Sequence, residues 1–146
     1  MTDLLLSDWD TPFGVPPFDR ISDDDWAPAV DAALERSRAN VAAIAADPDA
    51  PTYANTIEAL ELADDDLSRV LGAFYAVAGA DSNEARQALQ RAFSPKLSAY
   101  GSWVSSNADL FARIEDLWAR RDDLDLTDEQ ARVLMLTRRG FVRAGA

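Results

Sequence analysis

Thr52 to Gly79, which reads TYANTIEALELADDDLSRVLGAFYAVAG, decides the fold class. Tyr53, Ile57, Leu60, Leu67, Val70, Leu71, Phe74 and Val77 recur at the three- and four-residue intervals of one helix face. Thr52 is placed to cap such a helix, and Gly79 to end it. No stretch of the chain sustains the two-residue alternation of a half-buried strand. The expected fold is all-α.

Downstream, Asp81-Ser82-Asn83-Glu84 offers a capping box for a helix with the face Ala88, Leu89, Phe93, Leu97, Tyr100 and Val104, and Pro95 is predicted to kink it. Asn107 can cap a helix carrying Leu110, Phe111, Ile114 and Trp118. Thr127 with Gln130 reads as another capping box, opening a helix with Val133, Leu134, Phe141 and Val142. Upstream, Ser22 is an N-cap candidate for a helix from about Asp23 to Ala46, and Asp23, Asp24 and Asp25 suit its positive end. Trp26, Val30, Ala33, Leu34, Val41 and Ile44 define the apolar face. Pro28 fits poorly inside a helix, so a separate 3₁₀ turn is expected first, with the main helix starting at Pro28. Asp47-Pro48-Asp49-Ala50-Pro51 then breaks the chain. The expected organisation is a bundle-like segment of about five helices over residues 22–146, preceded by an irregular arm over residues 1–21. Three prolines and a glycine in Thr11 to Phe18 forbid a helix or a central strand there. Trp9, Phe13 and Phe18 suggest an arm laid across apolar surface.

The 146 residues suit one domain, with 48% hydrophobic and 27% charged residues, a globular composition. Fourteen Lys plus Arg against 26 Asp plus Glu give a net charge of −12. That balance argues against a nucleic-acid partner, which needs a basic face, and against anionic membrane surfaces. With no cysteine there are no disulfides, no thiolate chemistry and no Cys-ligated zinc. With no histidine the commonest general base and metal ligand are also missing. Leu4, Leu5 and Leu6 are too short a run for a signal-peptide core, Asp3 sits where a basic n-region would lie, and no apolar run would span a bilayer. The chain is expected to be cytoplasmic.

Several acidic strings invite a catalytic reading and fail on chemistry. Asp123-Leu124-Asp125-Leu126-Thr127 matches the D-x-D-x-T string of aspartate-nucleophile phosphatases, but it joins two helices instead of leaving a buried strand, so a helix-capping loop is the better reading. As a calcium loop it fails too, because Asp128 occupies the glycine position and Leu134 that of the bidentate Glu. Glu58 and Glu61 lack the histidine of a di-iron helix. Asp64, Asp65 and Asp66 read as a solvated face, although such a run could gather a cation. Trp26, Trp103 and Trp118 read as core before they read as a ligand groove. No Gly-rich phosphate loop and no nucleophile elbow is present. No catalytic, cofactor-binding or metal-binding residue is expected in this chain.

Four strings carry a resemblance. Thr11-Pro12-Phe13-Gly14-Val15-Pro16-Pro17-Phe18-Asp19-Arg20-Ile21, followed by the helix with Trp26 and Pro28, resembles the amino-terminal entry of bacterial peptidyl-dipeptidases of the thimet-oligopeptidase family. Pro51 to Glu61, PTYANTIEALE, looks like that family's second-helix signature, and Ala78-Gly79-Ala80-Asp81-Ser82-Asn83 its next helix junction. Phe141-Val142-Arg143-Ala144-Gly145-Ala146 resembles the string before the family's long middle region. They occur in family order and cover nearly the whole chain.

The resemblance implies a large, neurolysin-like helical enzyme that cleaves short peptides in a channel. Zinc there is held by an H-E-x-x-H helix and a later Glu, with the motif Glu acting as general base. That motif lies far downstream in the family and is not in this sequence, so no catalytic or metal residue carries over. The expected role is a stretch of channel wall, inactive by itself, whose partners are the catalytic region beyond it and short peptides. The alternative is an independent acidic helical interaction module without enzymatic activity.

Overall fold

Short polar residues set where the helices begin. In the computed structural model residues 2–146 are described, with side chains from Leu4 onward; Met1, and the side chains of Thr2 and Asp3, lie outside the described residues. The Asp25 carboxylate accepts from the Ser22 N–H at 2.8 Å and from its hydroxyl at 3.1 Å, holding a 3₁₀ turn, Asp23–Asp25. Helix α2, Trp26–Ala45, continues directly from that turn and starts two residues before Pro28. Pro28 is accommodated because a first-turn residue has no intrahelical N–H bond to lose. Asn107 Oδ1 accepts from the Leu110 N–H at 2.9 Å and opens α6, Ala108–Ala119. Thr127 and Gln130 exchange bonds of 3.2 and 3.0 Å at the start of α7, Asp128–Arg143. Among the described residues there is no strand.

The stretch after Thr52 departs from the single helix that its periodicity predicts. Thr52 does cap it, but the first turns are a wide π-helical segment, Tyr53–Glu58, followed by a short α3, Ala59–Leu62. The chain then breaks at Ala63 and Asp64, and α4 runs Asp65–Ala80. The apolar stripe has a gap between Leu60 and Leu67 in which only the small Ala63 is buried and Leu62 is 63% exposed, so no large buried side chain holds the helix in phase there. Gly79 is likewise not the helix end. It lies inside α4, which stops at Asp81, where φ −144° and ψ 78° leave the helical region. Asn83, rather than an Asp81–Glu84 box, caps α5, Glu84–Ser105, its Oδ1 accepting from the Arg86 N–H at 2.8 Å. Helix α5 runs through Pro95 without interruption.

The arm is more ordered than irregular. Thr2–Leu6 form a short helix, α1, packed against α4, with Leu5 and Leu6 buried. Pro12–Gly14 and Phe18–Arg20 are 3₁₀ turns. Phe13, fully exposed at φ 60°, lies on no apolar surface, contrary to expectation. Trp9 is half-buried with the Arg69 guanidinium 5.0 Å over its ring, and Arg69 also donates to the Ser7 carbonyl at 2.6 Å.

The chain divides into two compact units, and the boundaries fall inside α2 after Arg38, between Ala63 and Asp64 where α3 breaks from α4, and inside α5 after Leu97. The first unit holds the arm, the start of α2, α4 and the first part of α5. Its core centres on Phe74, whose ring meets Trp26 edge-on at 5.4 Å and Phe93 at 5.0 Å. The second unit holds the rest and is cored by Val41, Ile44, Ile57, Leu110, Ile114, Leu117, Leu134 and Phe141. No helix among the described residues is long and apolar enough to cross a membrane.

Candidate functional site

The most deeply placed charge is Arg113, 92% buried in the second unit on the α6 face that also carries Leu110, Ile114 and Leu117. Burying a guanidinium is costly unless its donors are satisfied. Here Nη1 donates to the Asp47 and Asp49 carbonyls, both at 3.0 Å, and Nη2 to Asn55 Oδ1 at 3.1 Å. The Asp47 carboxylate stands 3.8 Å away. Asn55 Oδ1 accepts further from the Thr52 N–H at 2.7 Å and from the Thr56 hydroxyl at 2.8 Å, while its amide donates to the Ala50 carbonyl at 3.0 Å. One arginine thus ties the Asp47–Pro51 break to the cap of the π-helical turn. Each of these bonds joins groups of the chain to one another, which is the chemistry of a clamp. Sequence reasoning passed over Arg113; the signal was an arginine in register with an apolar stripe.

Two surface depressions are lined by both aromatic and charged residues. In the first unit, Phe18, Ile21, Trp26, Val77 and Arg86 line a groove of about 350 Å³. Arg86 Nε donates to Asp23 at 2.9 Å, and its Nη1 bonds the Asp81 carbonyl. The Asp23 hydrogen bond, opposed by desolvation and helped by the charges of Asp23 and Asp81, raises the pKa of Arg86 above its ordinary value. A cation already engaged by two aspartates is a poor receptor for an anionic ligand. In the second unit, Trp118, Arg121, Asp122, Leu126, Arg132 and Met135 line an open depression of about 610 Å³. Trp118 lies under Arg121 at 4.1 Å and Arg138 at 5.2 Å, and Arg138 pairs with Glu115.

The acidic strings settle into structural positions. Asp123 ends a 3₁₀ turn, Asp125 takes φ 51°, and Thr127 caps α7, so the D-x-D-x-T string is a helix connection. Glu58 and Glu61 are exposed, and Asp66 pairs with Arg36 at 3.0 Å. Of the three tryptophans, Trp26 is core, Trp103 stacks on Tyr100 at 6.2 Å, and Trp118 lines the depression. The donors for zinc do not fit: the sequence has no His or Cys, and among the described residues no three carboxylates gather.

No family model matches the chain. It is 39% identical over 145 residues to the dipeptidyl carboxypeptidase of Salmonella typhimurium, covering 99% of this chain and 21% of that protein. With the dipeptidyl carboxypeptidase of Escherichia coli it shares 38% over 135 residues, 92% of this chain and 20% of that one. The chain's homologues are peptidases of the thimet-oligopeptidase family. Oligopeptidase A of Escherichia coli, at 34% over 118 residues, covers 80% of this chain and 17% of its own length. The chain therefore spans about a fifth of the length of the curated relatives it matches. Within this chain the PTYANTIEALE string does a folding task, since Thr52, Asn55 and Thr56 form the Arg113 network.

Proposed function

We propose that this chain is the non-catalytic, amino-terminal helical part of a peptidase that removes dipeptides from the carboxyl ends of short peptides. The similarity to a dipeptidyl carboxypeptidase over 99% of this chain carries the reading. The inward-facing Arg113 network and the engaged Arg86 support a wall and scaffold role, because neither offers a free group to a substrate. Zinc chemistry in such a peptidase would come from residues outside this sequence. A cytoplasmic setting belongs to the same proposal.

The test uses the uninterrupted polypeptide encoded together with this chain, assayed on short peptides with free or amidated carboxyl ends and read by mass. Dipeptides released only from free ends are expected. Internal cleavage indifferent to the carboxyl end would move the assignment to an oligopeptidase, and absence of cleavage would overturn it.

A further inference from the structure

The outer face of α7 has no use in the second unit's own packing. Leu134 and Phe141 turn into the core, whereas Met135, Leu136 and Val142 are 39, 40 and 44% exposed. Arg132, Arg139 and Arg143 sit at the same three- and four-residue intervals, so the exposed face reads Arg132, Met135, Leu136, Arg139, Val142, Arg143. None of those three arginines meets a carboxylate among the described residues. From Ala131 to Ala146 the chain holds four arginines and no acid, on a protein of net charge −12. The strip runs into the depression over Trp118, to which Arg132 and Met135 both contribute.

An apolar ridge flanked by unpaired cations selects its complement: an amphipathic helix with leucine-like residues on one face and carboxylates along its borders. We infer that the α7 face docks an acidic amphipathic helix from elsewhere in the same longer polypeptide, an inference that rests on the peptidase reading for the source of that helix. A second copy of this chain fits less well. Its exposed large apolar residues are scattered, with Leu62 on the four-residue α3 and Tyr75 alone on α4, so no described helix offers an exposed apolar stripe with acidic borders.

Two measurements test the surface. In the first, the 146-residue chain is titrated with a synthetic 18-residue helix of leucines bordered by glutamates, and with the same helix carrying lysines instead. The glutamate helix should bind at least roughly tenfold more tightly, more weakly at high salt, and the paired substitutions Arg132→Glu and Arg139→Glu should reverse the preference with the circular dichroism unchanged. In the second, a benzophenone side chain at Leu136 of the uninterrupted polypeptide should cross-link within the same polypeptide to an acidic helical peptide. Equal binding of the two helices, a preference that survives charge reversal, equal binding of anionic lipid vesicles, or cross-linking to a second copy would each overturn the inference. Peptide cleavage with the cross-link elsewhere discards the docking surface alone. Probe binding without any cleavage discards the peptidase reading alone.

Discussion

Replacing Arg113 tests whether a buried cation can be the keystone of the second unit. Arg113→Ala removes three hydrogen bonds from a charged donor, each worth about 1.5–3 kcal/mol net, and opens space among Leu110, Ile114 and Leu117. The acceptors do not all lose equally. Asp49 is exposed, so water can replace its partner, while Asn55 Oδ1 keeps the Thr52 and Thr56 donors. The expected cost is therefore about 3–4 kcal/mol, near the range for breaking a buried charged contact and below the simple sum. Arg113→Met separates the terms. Its stem keeps most of the packing and gains apolar burial of about 1 kcal/mol, which offsets part of the lost hydrogen bonding and leaves a net cost of about 2 kcal/mol. Lysine at 113 should fall between parent and alanine, since one ammonium cannot span acceptors on both sides of the break.

Urea unfolding followed by circular dichroism gives the magnitudes. Hydrogen exchange places them, because two units need not unfold as one. In both variants the amides of residues 47–56 should exchange faster, while those of α4 stay protected. A methionine variant as stable as the parent, with unchanged exchange over residues 47–56, would refute the clamp. The network would then be a tolerated polar site that an apolar side chain replaces without loss.

Phe74→Ala should cost about 3–5 kcal/mol in the same assay, because its fully buried ring is the contact shared by Trp26 and Phe93; a loss below 1 kcal/mol would mean the first unit collapses around the gap. Gly79→Ala should stabilise by about 0.5–1 kcal/mol, since the position is helical and an added Cβ meets nothing within 4 Å; destabilisation would restore Gly79 as the helix end. Tyr53 gives a pH signature: burial first, then the carboxylates of Glu61, Glu58 and Glu129, raise its phenol pKa. A raised folded pKa means its contribution is full below the unfolded value of about 10 and is lost as pH climbs through the folded one, so stability should fall more steeply above pH ~10 in the parent than in Tyr53→Phe. Equal alkaline slopes would contradict it.

Helix starts were legible in the sequence because a cap is a local device: Thr52 with Asn55, Asn107 with Leu110, and Thr127 with Gln130 each act within three residues. Helix interruptions were not. Six residues of π-helix carry too few apolar positions to separate a wider turn from an ordinary one, so Tyr53 and Ile57 fit either period. The break at Ala63 and Asp64 shows only as a gap in the stripe, which propensity alone bridges. Helix α1 is too short to nucleate by itself and exists because Leu5 and Leu6 find α4, a partner some sixty residues away. Gly79 misled for the opposite reason: a glycine is permitted at a helix end and does not compel one.

The structural placing of the acidic strings and the chain's similarity to peptidases look opposed, yet both follow from where the polar groups point. Thr52, Asn55, Thr56 and the two terminal nitrogens of Arg113 bond main-chain groups or one another, and Asp123 to Thr127 shape a turn. Residues with such duties are constrained by backbone geometry, which gives a string a recognisable form without giving it any reactivity. A catalytic carboxylate needs a cleft, a shifted pKa and a substrate-facing lone pair. The described carboxylates of this chain are exposed, paired with arginines, or engaged in turns and caps. The family signature here is thus a signature of folding. In the proposed peptidase the chemistry is held by residues elsewhere, and substitutions in this segment should act on activity only through stability and docking.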